Sequence, residues 1–225
     1  MGSTAPWFVI ASSALALAGC GKLVPQGTEA ARPPVSAPRP AAVASEARQC
    51  MTGLGETGAR FSPAPDRYFG AGCSTIGTVN LAALQGDTAQ FAVTGMGPVT
   101  CPLAETMAAW ARFGVDRAAR HTLGSPLSRI ETFGSYSCRD VAGSSRRSAH
   151  ATAQAIDVAS FVLADGRRIS VTEDWNGADP ARREFLRLVH ASACKRFGTI
   201  LGPDYNAAHR DHLHLEAGRS GGFCR

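Results

Sequence analysis

Lysine is nearly absent from this chain. Of its 23 basic residues only Lys22 and Lys195 are lysines, and the other 21 are arginines. The arginines are dispersed, with no run longer than a pair such as Arg146-Arg147, Arg167-Arg168 or Arg182-Arg183. A formal charge of +5 spread this way is not a nucleic-acid footprint. It suits anionic surroundings such as a membrane face or a cell wall, and it equally suits an ordinary surface written with arginine. Charged residues reach only 18%, below the roughly 25% of an average soluble domain. The 44% of apolar residues supplies a core and excludes whole-chain disorder. No apolar run reaches the ~18 residues of a permanent membrane-spanning helix. There is no Cys-x-x-Cys, which argues against thiolate zinc knuckles and thioredoxin-like chemistry. No internal repeat is visible.

What is present begins with an export signal. Residues 5–18 hold a short apolar stretch, Trp7-Phe8-Val9-Ile10 and then Ala14-Leu15-Ala16-Leu17-Ala18, followed by Gly19-Cys20. The ending resembles the bacterial lipoprotein box, in which the cysteine receives a diacylglycerol and becomes the new N-terminus. Residues 2–19 carry no Lys or Arg, so the positive head of the signal is reduced to the amino group. Residues 1–19 are therefore read as a lipoprotein signal peptide and Cys20 as the lipid attachment site. Residues 20–47 are read as a Pro/Ala-rich tether. Its stretch 21–47 holds five of the 13 prolines, including Pro33-Pro34 and Pro38-Arg39-Pro40, and no aromatic residue. Residues 48–225 form the folded domain. The resemblance implies a cell-envelope protein facing the periplasm, anchored in a bacterial membrane through its lipid and monomeric.

Six cysteines remain once Cys20 is set aside: Cys50, Cys73, Cys101, Cys138, Cys194 and Cys224. An even number in an exported domain reads as a disulfide framework. Six cysteines allow fifteen pairings and sequence alone does not choose among them. Pairing of near neighbours gives Cys50–Cys73, Cys101–Cys138 and Cys194–Cys224.

Periodicity indicates an α+β fold: a small antiparallel sheet with packed helices. Pro102 to His121 reads as a helix with Leu103, Met107, Trp110 and Val115 on its apolar face, closed by Gly124 and Pro126. Asp179 to Phe197 reads as a second helix, with Asp179 as N-cap, Pro180 in its first turn and Gly198 as C-cap. Ala155 to Leu163 and Arg167 to Thr172 flank the turn signal Asp165-Gly166 and predict a hairpin. Ile130 to Cys138, Thr199 to Leu201 and Leu213 to Leu215 are further strand candidates.

The chemistry lies in two segments that hold four of the six histidines: Ser148-Ala149-His150 through Asp157, and His209-Arg210-Asp211-His212-Leu213-His214. Histidine and carboxylate groups suit a borderline ion such as Zn²⁺, and a catalytic zinc needs three protein ligands and one open position. His150, Asp157 and one or two histidines of the second segment supply that number. Small residues between His150 and Asp157 allow a tight helical turn and then a strand. His212 and His214, two apart on a strand, point the same way.

The motif Ser-x-His-x-x-Ala-x-Ala-x-Asp, followed by Asp-x-x-His and His-x-His, resembles the zinc metallopeptidases of the D-Ala-D-Ala carboxypeptidase type. Those enzymes cut peptidoglycan peptides and share a fold with the hedgehog signalling domain. The resemblance implies His150, Asp157 and His214 as zinc ligands, Asp211 as general base, His212 as a site histidine beside the metal, and Arg139 as the contact to the substrate oxyanion. Ala153 stands where many members carry glycine. A closer match, from Cys50 to His214, resembles the bacterial extensin-like C-terminal domain proteins. It includes Tyr136-Ser137-Cys138-Arg139, Asp174-Trp175, Phe185-Leu186, Ala193-Cys194 and Leu201-Gly202-Pro203-Asp204-Tyr205-Asn206. The Pro-rich stretch is too short and irregular for a plant wall glycoprotein, so that name carries no functional weight.

Several residues have two readings. Trp175 plugs the core or lines a cleft. His190 is structural, and His121 answers the dipole of its helix. His209 borders the metal site or does not. Tyr205 and Asn206 bind substrate or shape the loop. Arg139 contacts the oxyanion or sits in a structural ion pair. The function implied is a lipid-anchored zinc peptidase acting on peptidoglycan stem or cross-link peptides. The alternative is a non-catalytic, zinc-containing wall-binding or structural domain.

Overall fold

The computed structural model describes Met1, Gly2 and residues 41–225, without the side chains of residues 41–44. Cys20 and the stretches read as lipobox and tether up to residue 40 lie outside the described residues. Helix α1 (Ala41–Glu56) opens the domain and crosses the boundary that the sequence places at residue 48. Six strands follow: β1 (Arg60–Pro63), β2 (Tyr68–Gly70), β3 (Cys73–Ser74), β4 (Thr78–Gln85), β5 (Gln90–Thr94) and β6 (Val99–Thr100). Next comes one helical run, α2 (Cys101–Trp110), a π-helical segment Ala111–Asp116 and α3 (Arg117–Leu123). β7 (Leu127–Gly134), a 3₁₀ turn Ala149–Thr152, β8 (Ala155–Leu163), β9 (Arg168–Ser170) and the short α4 (Val171–Asp174) come after it. The chain ends with α5 (Pro180–Cys194), β10 (Thr199–Leu201), a 3₁₀ turn Ala207–His209, β11 (Leu213–Glu216) and β12 (Phe223–Cys224).

The main sheet is larger than the sequence suggests. Among the described residues it has ten strands in the order β1-β4-β5-β7-β8-β11-β10-β12, with β6 added to β4 and β9 to β8, while β2 and β3 pair separately. It is also not purely antiparallel, because β5 runs parallel to β7 and β10 parallel to β12. The reason is the crossover: the helical run between β5 and β7 carries the chain back to the end from which β5 set out, and a parallel neighbour needs such a connection.

β8 is an inner strand, and of its nine residues only Asp157 is not fully buried. Such a continuous apolar run is what coverage of both faces demands. The helices pack through Trp110, which meets Phe161 and Phe197 edge-on and donates from Nε1 to the Val189 carbonyl at 3.1 Å. In the π-helical segment Gly114 lies so close to α5 that a Cβ there would meet the Ser192 hydroxyl. Asp116, 1% exposed, closes the same segment by accepting from the Leu127 and Asp87 amides and from Arg120. Gly124 ends α3 with φ of 69°.

The start of α5 is as the sequence predicts: the Asp179 carboxylate accepts from Ala181 N at 2.9 Å, and Pro180 follows. Its end is not. The helix stops at Cys194 with Lys195 as cap, because Gly198 is drawn into the sheet, donating to Glu216 O and accepting from Phe223 N. The return arm of the hairpin is shortened to β9, because Asp174 accepts from Ser170 N at 2.8 Å and winds Val171–Asp174 into a helix. The predicted strand from Ile130 shifts to Leu127–Gly134, and residues 135–138 leave the sheet.

Three disulfides form among the described residues, but two pairings differ from the near-neighbour expectation. Cys50 joins Cys101 and Cys73 joins Cys138, while Cys194–Cys224 is as expected. Packing of α1 against α2 puts Cys50 beside the first residue of α2. The β2–β3 hairpin lies under the loop after β7 and so takes Cys138. Non-reducing peptide mapping should recover Cys50–Cys101 and Cys73–Cys138, and a Cys50–Cys73 peptide would contradict this packing. Removing Cys73–Cys138 should cost about 2–4 kcal/mol of stability, measured by denaturant unfolding.

Candidate metal centre

The site is built where a capped turn meets two neighbouring strands. Ser148 accepts from His150 N at 3.4 Å and starts the 3₁₀ turn that carries His150. Ala153 then takes φ of 55°, a left-handed conformation that glycine adopts more readily than alanine. The chain enters β8 two residues later and brings up Asp157. β11 pairs antiparallel with β8 so that His214 lies directly opposite Asp157. Side chains on directly opposed residues share one face of the sheet, so the two must meet.

They meet at short range. His214 Nδ1 lies 2.7 Å from Asp157 Oδ1, His150 Nε2 lies 3.2 Å from Asp157 Oδ2, and the two histidine nitrogens are 3.2 Å apart. His150 and His214 are 2% and 6% exposed. These three residues form a group whose ligand atoms could hold a metal ion. The outward nitrogens are also held: His150 Nδ1 donates to Ser135 O at 3.2 Å, and His214 Nε2 faces Glu216 Oε1 at 2.9 Å. Two buried imidazoles aiming nitrogens at one carboxylate, each steadied from behind, are a donor set that fits a borderline divalent cation.

A cavity of about 300 Å³ opens on this cluster. Arg139, Arg146, Tyr205, Asn206, His209 and His212 help to line it. His212 presents Nε2 toward Asp157 Oδ1 at 3.4 Å, and its Nδ1 is held by Asp211 Oδ1 at 2.8 Å. Asp211 is thus separated from the cluster by the His212 ring and is not part of the cavity wall. Asn206 shapes its loop, since its Oδ1 accepts from Ala208 N and contacts His209 Nδ1 at 2.7 Å, and it also lines the cavity. Tyr205 packs its ring on His209 and Phe223. Arg139 has no side-chain ion pair among the described residues, so its guanidinium is free to face the cavity.

Glu216 is the site residue that sequence reasoning missed. The signal was the alternation Leu213-His214-Leu215-Glu216, which puts His214 and Glu216 on one face of β11 and the two leucines in the core. The other residues with two readings are structural. Trp175, 2% exposed, donates from Nε1 to Asp204 at 2.8 Å under the Arg187 guanidinium. His190 packs edge-on against Trp175. Two further groups bring ligand atoms together among the described residues: His190, Cys194 and Cys224, which the disulfide closes so that it offers no thiolate, and His209, His212 and His214, which shares His214 with the first cluster. His121 sits in the last turn of α3.

The charges of the site depend on one another. Burial opposes the charged form of Asp157, but hydrogen bonds from His150 and His214 outweigh it and hold the carboxyl far below its usual range. Burial likewise opposes a proton on His214, yet Asp157 and Glu216 on its two sides push it up to about 9. Its partner Glu216 is lowered by that same hydrogen bond. His209 moves the other way, down to about 4, through burial and then the neighbouring His214 and His212. Metal-free, the cluster is therefore an imidazolium clasped between two carboxylates, with a neutral His209 beside it.

The sign of the pH dependence follows. A raised histidine stabilises fully below its ordinary value near 6.5 and loses that contribution as pH rises through about 9. The lowered carboxyls stabilise above their ordinary range and lose that contribution in acid. The melting temperature of the metal-free protein should thus fall between about pH 6.5 and 9, and His214→Gln should flatten that fall. An equal fall in the variant would remove His214 as the cause.

No curated protein and no solved structure matches this chain. One family does, described as extensin-like protein C-terminus, and its match covers residues 48–225. That span takes in all of the described structure from within α1 to the last residue, including every side chain of the candidate metal cluster, and the chain belongs to the extensin-like C-terminal family.

Proposed function

We propose that this protein is a zinc-dependent peptidase of the bacterial cell envelope that hydrolyses peptidoglycan stem or cross-link peptides. The observation that carries the reading is the convergence of His150 Nε2, Asp157 and His214 Nδ1, with Asp157 and His214 lining a cavity. Three protein ligands with space beside them are the pattern of a catalytic site, whereas structural zinc is enclosed by four. The motif likeness to D-Ala-D-Ala carboxypeptidase-type enzymes supplies the substrate class. A lipid on Cys20 and the Pro/Ala-rich stretch place the domain at the wall in this reading.

His150, Asp157 and His214 hold the ion, and bound zinc supplies Lewis acidity toward the scissile carbonyl and toward water. The chain's own residues manage protons and charge. His212 takes a proton at Nε2, because Asp211 at Nδ1 fixes its tautomer and stabilises the imidazolium that results. This assigns the base role to the pair, with Asp211 acting through His212. Neutral His209 is a hydrogen-bonding group on the cavity wall, oriented by Asn206. Arg139 presents an unpaired guanidinium where the oxyanion develops.

A non-catalytic reading has one observation in its favour. His212 Nε2 is near enough to Asp157 that it could join the ion as a fourth ligand and close the site. Zinc content read beside muropeptide release from purified sacculi separates the two. His150→Ala and His214→Ala should lose the metal. His212→Asn and Asp211→Asn should keep about one zinc per chain while hydrolysis falls by ~10² or more for His212→Asn. Loss of zinc in His212→Asn, with an inactive wild type, would establish the closed site.

The anchor is tested separately. Cys20→Ser should leave the precursor unprocessed and abolish any lipid-dependent membrane association, read by cell fractionation. A variant processed and membrane-bound like wild type would rule the lipid out.

A further inference from the structure

We infer that Glu216 is a positioning residue that sets the metal affinity of the site, acting on the ion through His214 without touching it. This rests on the metal-binding part of the reading above and not on peptide hydrolysis.

Glu216 Oε1 lies 2.9 Å from His214 Nε2, the nitrogen opposite the one aimed at Asp157 and His150. An imidazole held at one nitrogen by a carboxylate can present only the other as a lone pair, and the carboxylate makes that lone pair more basic. Glu216 therefore selects the Nδ1-ligating form of His214. His150 is held differently, by the neutral Ser135 carbonyl. The two ligand histidines are thus unequal, and the charged support belongs to His214.

The carboxylate is held in place by the fold. Glu216 ends β11, between β8 and β10, opposite Ala155 on one side and Thr199 on the other. Its carbonyl accepts from Gly198 N at 3.0 Å. A group fixed on an inner strand stays aimed without loop ordering, which is what a supporting shell requires. The charge count agrees. Two neutral imidazoles and the Asp157 carboxylate leave a divalent ion with one uncompensated positive charge, and Glu216 cancels it. The arginines on the cavity wall cannot, since they carry the ion's own sign.

The test compares zinc dissociation constants at one fixed pH, by chelator competition, for wild type, E216Q, E216D and the exposed-surface control E173Q. E216Q keeps the length and shape of the side chain but removes the charge, so zinc should bind roughly 10–100-fold more weakly. E216D keeps the charge but withdraws it by one methylene, and should fall between E216Q and wild type. E173Q should match wild type. Side-chain NMR of His214 in the zinc-loaded protein gives a second readout: Nε2 should remain protonated and hydrogen-bonded in wild type, and the signal of that proton should shift or exchange faster in E216Q. If E216Q binds zinc within twofold of wild type, the inference is wrong, whatever happens to the melting temperature. If E216Q does not fold, E216D at wild-type affinity overturns it equally. A wild type that binds no zinc sinks the metal reading itself. Tight binding lost in E216Q, together with intact sacculi, supports the present inference while removing the peptidase.

Discussion

The register between β8 and β11 is the constraint on which the site depends. Asp157 faces His214 because Leu213 pairs with Val158 and Leu215 with Ile156. All four of those apolar residues are fully buried. A slip of one residue would turn the leucines of β11 out of the core and the histidine into it, so hydrophobic burial enforces the register that the chemistry requires. The polar cluster is thus positioned by its apolar neighbours.

Around that pair the protein gathers groups that would be costly to bury alone. A desolvated carboxylate or imidazolium is tolerated inside only when its partners compensate it. Asp157 has His150, His212 and His214; His214 has Asp157 and Glu216; His212 has Asp211. The partners come from two places in the fold: His150 and Asp157 from the 3₁₀ turn and β8, and Asp211, His212, His214 and Glu216 from β11 and the residues just before it. His150 arrives on a 3₁₀ turn, which is itself tied to the loop after β7 through Ser135 O and Ser137 N. The Cys73–Cys138 disulfide fastens that loop to the β2–β3 hairpin. The loop that carries Tyr205 and Asn206 is fastened by Asp204 to Trp175 and Arg187. The cavity therefore has a rigid floor of strands and walls pinned by a disulfide on one side and an ion-pair network on the other.

Much of this was legible in the sequence, for local reasons. Asp179-Pro180 marks a helix start because a carboxylate can satisfy the free amides and proline needs none. Ala155–Leu163 and Thr199–Leu201 were read with the bounds they have, because short apolar runs bounded by turn residues leave few alternatives. The region from residue 60 to 100 was not read as strands at all. β1 has one half-buried residue among exposed ones and so carries no period of two, but β5 does alternate in burial, with Phe91 and Val93 inside, and that short signal went unread.

The amino-acid sequence by itself determined the candidates for the cluster: His150 and Asp157 on a turn-strand step, and His212 and His214 at a strand's alternation. Those depend on spacing along the chain, which the backbone periods translate directly into direction. The tertiary structure alone decided what depends on distance between remote segments. It paired Cys50 with Cys101 and Cys73 with Cys138, laid β5 parallel to β7, and recruited Gly198 away from its helix. It also set Asp211 behind His212, and Glu216 behind His214. Sequence neighbours as close as residues 211 and 212, or 214 and 216, can take opposite roles. Which atom faces the cavity is fixed by the strands packed on either side.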